Sequence, residues 1–171
     1  MGKADQGVAA SKGRYVVLPR ALVFVFNGGD VLLIKGAPSK RIWANRYNGV
    51  GGHVEAGEDV YAAALREVGE ETGLAVRGLR LCGTINVDAG QETGIMLFVF
   101  VAHSDGRETI PSPEGSLEWV PLGRIDEFDL VEDIPVLLER ITGMSDGAPP
   151  FFARYWYDEQ DALQVAFAEG G

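Results

Sequence analysis

Apolar residues fall into short runs whose spacing alternates between strand-like and helical. Arg20-Ala-Leu-Val-Phe-Val-Phe26 is apolar, β-branched and aromatic; Asn27-Gly-Gly-Asp30 follows, and then a second apolar run, Val31 to Lys35. That order predicts a β-hairpin. Gly36 to Arg46, which contains Pro38, reads as a loop leading to a short extended piece, Tyr47 to Val50. Leu79 to Val87 and Ile95 to Ala102 are strand-like and are joined by a turn over Asp88 to Gly94. The second of these runs is continuously apolar, which suits a strand buried on both faces. His103 to Ser116 is a polar loop, and Leu117 to Pro121 a short strand. Ile134 to Ile141 is a helix with Pro135 in its first turn, ending before Gly143. Phe151 to Tyr157 and Ala162 to Phe167, with a turn at Asp158 to Asp161, form a terminal hairpin. The mixed order predicts an α+β protein, an α/β/α sandwich around a mixed β-sheet with a C-terminal β-hairpin.

One helical stretch carries an unusual polar pattern. Asp59 to Thr72 is predicted helical, with Asp59 near the N-cap and Gly73 just past the end. Glu67, Glu70 and Glu71 then fall at i, i+3 and i+4 and share one face. Tyr61, Leu65 and Val68 share another, which is expected to be the buried one. Ala63, inside the carboxylate sector, is small and leaves open space above the acids. Three like charges this close repel one another unless a cation joins them, and a hard divalent ion is the partner that oxygen donors suit. The plain alternative is a solvated acidic face. Three glycines in four positions, Gly49, Gly51 and Gly52, suit either close approach of a ligand or a tight turn.

Composition narrows the classes. At 171 residues and 46% hydrophobic content the chain is long enough to bury a core; residues 1–14 are expected to be a flexible N-terminus and 15–171 a single domain. No apolar run approaches the ~20 residues that span a membrane, and Met1 to Arg14 lacks the apolar core of a signal peptide, so a cytoplasmic protein without a membrane partner is expected. A net charge of −10 argues against a nucleic-acid polymer as partner. It permits a nucleotide, because Lys35, Lys40, Arg41 and Arg46 supply local cations. Cys82 is the single cysteine and cannot form an internal disulfide. The oligomeric state is not encoded in any pattern found.

Gly52, five residues, Glu58, seven residues, Arg66-Glu67, Val68, Glu70-Glu71, Gly73 and Leu74 match the signature of the Nudix hydrolases at every defined position. The chain resembles that family. The resemblance implies a fold in which this box forms a loop, the catalytic helix and a following loop. It implies that Glu67, Glu70, Glu71 and the Gly51 carbonyl bind Mg²⁺, or Mn²⁺, and that Arg66 orients Glu67. Glu58 is expected to stabilise the loop and helix start. Arg66 could otherwise be a surface partner of Glu70. For the general base, the resemblance leaves a box glutamate or a distant loop carboxylate; Glu114, in Pro113-Glu-Gly-Ser-Leu-Glu-Trp119, is the loop candidate and Glu118 its rival.

The approach to the box, Arg46-Tyr-Asn-Gly-Val-Gly-Gly52, resembles that of the MutT-like oxidised purine nucleoside triphosphatases, which places Asn48 as a reader of the purine edge. Phe128-Asp-Leu-Val-Glu-Asp133 resembles the segment whose adjacent acids recognise 8-oxoguanine, and Glu132 and Asp133 are the matching pair. Leu130-Val131 stands where those enzymes carry a tryptophan. The two acids also suit the N-terminus of the Ile134 helix. The implied activity is a Mg²⁺-dependent pyrophosphohydrolase cleaving a nucleoside triphosphate, 8-oxo-dGTP among the possibilities, to the monophosphate and pyrophosphate. Hydrolysis of a linked diphosphate such as ADP-ribose and a non-catalytic nucleotide sensor are the alternatives.

Overall fold

The computed structural model describes residues 13–168, so the flexible tail expected at 1–14 lies almost wholly outside the described residues. The predicted elements are present: β1 (Val16–Asn27), β2 (Asp30–Gly36), β3 (Tyr47–Asn48), β4 (Val50–His53), α1 (Val60–Thr72), β5 (Arg77–Asp88), β6 (Thr93–His103), β7 (Gly115–Pro121), α2 (Ile134–Thr142), β8 (Phe151–Tyr157) and β9 (Leu163–Phe167). A 3₁₀ segment, Leu122–Glu127, was not foreshadowed by the apolar pattern.

The strands form one mixed sheet in the order β3-β2-β1-β6-β5-β8-β9, with β4 added to β1 and β7 to β2. β1 pairs in parallel with β6, and β5 with β8; the other pairings are antiparallel. β1 shows how the sequence makes a sandwich. Leu22, Phe24 and Phe26 face one side, where they join Ile134, Leu137, Leu138 and Ile141 of α2. Ala21, Val23 and Val25 face the other, where they join Ala64 and Val68 of α1. A strand apolar at every position is therefore covered on both faces, as its composition requires.

Helix α1 begins as its sequence dictates. The Asp59 carboxylate accepts from the Tyr61 and Ala62 amides, each at 2.9 Å, and Gly73 closes the helix in the left-handed conformation (φ 71°). Its orientation corrects the expected buried face. Tyr61 is 49% and Leu65 40% exposed, whereas Ala63, Ala64, Val68 and Glu71 are buried. Size is the reason: the helix lies directly on β1 and β4, and alanines permit that approach where Tyr61 and Leu65 would hold the helix away. Glu67 and Glu71 consequently face inward, whereas Glu70 stays exposed.

Candidate active site

β4 antiparallel to β1 sets Gly51 opposite Leu22 and Gly52 opposite Ala21, with α1 stacked over them. The glycines serve this packing rather than a tight turn. Gly51 has φ 154°, and a Cβ there would lie 2.1 Å from the Ala21 carbonyl oxygen; a Cβ on Gly52 would lie 2.4 Å from Glu67 Oε1. Glu67 thus occupies the space that the Gly52 side chain gives up. Glu71 inserts beside it and accepts the Gly51 amide at 3.1 Å.

Arg66 organises the acids. Its Nη1 donates to Glu67 Oε1 at 2.9 Å and to Glu70 Oε2 at 3.1 Å, while its Nη2 donates to the His53 carbonyl at 3.0 Å and to Glu58 Oε1 at 2.7 Å; Nε donates to Glu58 Oε2 at 3.1 Å. The two-pronged contact with Glu58 holds the guanidinium plane fixed. Glu58 also accepts the Glu55 amide at 2.8 Å, tying the loop to the helix. The same arginine therefore meets both its expected partner, Glu67, and its surface i, i+4 partner, Glu70.

Burial and charge are uneven among the acids. Glu71 is only 9% exposed. Burial pushes its carboxyl up to about 7, the charges of Glu67 and Glu114 push the same way, and the Gly51 amide and Lys40 oppose them. The Glu67 side chain is 13% exposed, but that of Glu70 is 63% exposed and held outward on Arg66. Among the described residues no three His, Cys, Asp or Glu side chains are gathered tightly enough to enclose a metal ion. The donor chemistry nonetheless fits a hard divalent cation: Glu67, Glu71 and Glu114 converge as oxygen donors on one cavity, and their mutual repulsion is what a cation relieves.

That cavity, of about 590 Å³, runs from Gly51, Gly52, Glu67, Glu71 and Glu114 at one end to Val131, Glu132, Asp133, Tyr155 and Tyr157 at the other, with Asn48 on its wall. Glu114 lines it in an ion pair with Lys40. Glu118, the rival acid, does not line it: it accepts the Tyr47 hydroxyl at 2.6 Å and pushes that phenol up to about 12. Asn48 accepts the Gly49 amide through Oδ1 at 2.8 Å, which turns its amide nitrogen free to donate.

The structure separates the two acids near α2. Glu132 is on the rim, 3.4 Å from Arg46 Nη1, while Asp133 turns inward. Asp133 occupies the N-cap position of α2, but its side chain makes no capping bond. Burial, reinforced by Glu132, pushes it up to about 6. Val131 is buried and gives the cavity an aliphatic wall. Sequence reasoning singled out neither Arg20 nor Tyr155, both of which line the cavity and carry a buried polar atom with no partner among the described residues. Both lie in apolar strand runs, where only the fold reveals which face they take.

Comparison with known proteins places this architecture. The NUDIX domain model matches residues 17–141. The oxidized purine nucleoside triphosphate hydrolase of Danio rerio is 33% identical over 124 residues, covering 70% of this chain and 78% of the relative. Its counterpart from Mus musculus is 32% identical over 148 residues, covering 83% and 88%. The crystal structure of a MutT protein from Bacillus halodurans superposes with a TM-score of 0.73 at 25% identity, covering 88% of this chain and 97% of that one. The chain belongs to the Nudix family, as a hydrolase of phosphoanhydride bonds similar to the MutT-like members. Among the described residues no helix is long and apolar enough to cross a membrane.

Proposed function

We propose that the protein is a Mg²⁺-dependent pyrophosphohydrolase that converts a nucleoside triphosphate to the monophosphate and pyrophosphate, with an oxidised purine such as 8-oxo-dGTP as the base. The observation that carries this reading is the continuity of the cavity, which joins an acidic, helix-borne end to an end containing Asp133, with Asn48 on its wall. Phosphates would lie at the first and the base at the second. The names of the zebrafish and mouse relatives support the same substrate class.

Glu67, Glu70, Glu71 and the Gly51 carbonyl would hold Mg²⁺ or Mn²⁺, which when bound neutralises phosphate oxygens and lowers the pKa of a coordinated water. Arg66 acts as a positioning residue that fixes Glu67 from one side while Gly52 makes room on the other. Glu114, bordering the same space, would accept the proton of the attacking water, with Lys40 positioned to balance its charge. Asn48 would donate to the purine edge from the cavity wall, and at the far end Asp133 would accept from or share a proton with the ring N–H of an oxidised purine.

Incubation with Mg²⁺ and a nucleotide panel that includes 8-oxo-dGTP, dGTP and ADP-ribose tests the reading. Release of pyrophosphate from 8-oxo-dGTP, with little from dGTP, is expected. Cleavage of ADP-ribose alone would contradict it, as would binding without any product. Glu71→Gln is expected to lower turnover at least ~100-fold; wild-type turnover in that variant would remove Glu71 from the metal set.

A further inference from the structure

The cavity floor contains a polar group that the catalytic chemistry does not use. Tyr155 on β8 pairs with Val87 on one side and Val165 on the other, and its ring packs among the α2 core residues. The residue is 2% exposed, yet its Oη has no hydrogen-bond partner among the described residues. A buried hydroxyl without a partner costs stability, so a phenylalanine would serve the core better. Tyr155 and Asp133 both line the cavity, and the phenol is close enough to Asp133 to feel its charge.

We infer that Tyr155 is a specificity-determining residue whose hydroxyl, together with the Asp133 carboxylate, reads the buried edge of a 6-oxopurine base. The inference rests on the proposed use of this cavity for a nucleotide. Burial, and then the charge of Asp133, push the phenol above its ordinary value, so Tyr155 remains a neutral donor across the physiological range. A donor next to a carboxylate complements an edge that offers a carbonyl oxygen beside a ring N–H. Guanine carries that pair as O6 and N1–H, and 8-oxoguanine also carries O6 beside N7–H. A 6-aminopurine puts a donor where O6 would be, so the Tyr155 hydroxyl could only accept, and it turns an unprotonated ring nitrogen toward the Asp133 carboxylate, which then has no donor. A site built from buried polar groups rejects such a ligand strongly, because it leaves those groups unpaired. Tyr157, Leu163 and Val131 also line the cavity and add apolar surface beside the base edge.

Tyr155→Phe keeps the ring and removes only the oxygen, and its melting temperature is expected to match or exceed the wild type. Wild-type and variant kcat/KM are to be measured with 8-oxo-dGTP, dGTP, dATP and dCTP. The wild type is expected to favour 6-oxopurines over dATP, and Tyr155→Phe to reduce that ratio about tenfold or more. A base-selective wild type whose ratio survives in Tyr155→Phe would overturn the role of Tyr155 while leaving the nucleotide cavity intact. A wild type that hydrolyses all four nucleotides equally would overturn the cavity reading itself, and the inference with it.

Discussion

Asp133 illustrates how a single residue can fill a structural position and face away from the structural role. Its place at the start of α2 suits an N-cap, yet its carboxylate turns to the cavity instead of to the helix amides. The consequence is measurable in stability. In the unfolded chain this carboxyl ionises near 3.8, while in the folded protein it holds its proton up to about 6. Its contribution is therefore fully present below about pH 4 and is lost as pH rises through 6. That gap corresponds to about 3 kcal/mol at most. Urea unfolding of the wild type and Asp133→Asn at a series of pH values should show the wild type losing ground to the variant between pH 4 and 7. Parallel stability curves would show that Asp133 ionises as freely in the fold as in the unfolded chain. The sequence marked Asp133 as a candidate but could not choose between cap and cavity, since the residue type suits both.

Among the elements, the contact between α1 and β4 decides the geometry of the acids. Much of it was legible in the sequence: the i, i+3, i+4 spacing, the Asp59 cap and the Gly73 stop are local features, and local features are written in residue order. The helix orientation was not, because Tyr61 and Leu65 have the greater apolar area. What decides it is the close approach that Ala63 and Ala64 permit against a glycine strand, a property of two elements together. Likewise the assignment of Glu114 rather than Glu118 to the cavity depends on where β7 begins, and on Tyr47, which lies far away in sequence and takes up Glu118. The Gly52 contact can be tested directly. In Gly52→Ala the new Cβ meets the end of the Glu67 side chain rather than backbone, so the sheet should survive and the carboxylate should move. We expect kcat to fall at least ~10-fold with the circular dichroism spectrum retained. Wild-type turnover would show that the placement of Glu67 tolerates that displacement.

For the whole molecule, the sheet accounts for the separation of duties. One face receives α1 and the other α2, while the cavity is lined jointly by β1, by β4 and by the segment leading into α2. Of the cavity-lining groups, Glu67 and Glu71 come from α1 and Glu114 from the loop before β7, whereas Asp133 comes from the start of α2 and Tyr155 from β8. A nucleotide bridging the two ends would use both layers at once. A crystal structure with Mg²⁺ and a non-hydrolysable 8-oxo-dGTP analogue tests this most directly. The account predicts phosphates against Gly51, Glu67 and Glu71, and the base edge within hydrogen-bond distance of Asp133. A base lying outside the cavity, or phosphates at the Asp133 end, would contradict it.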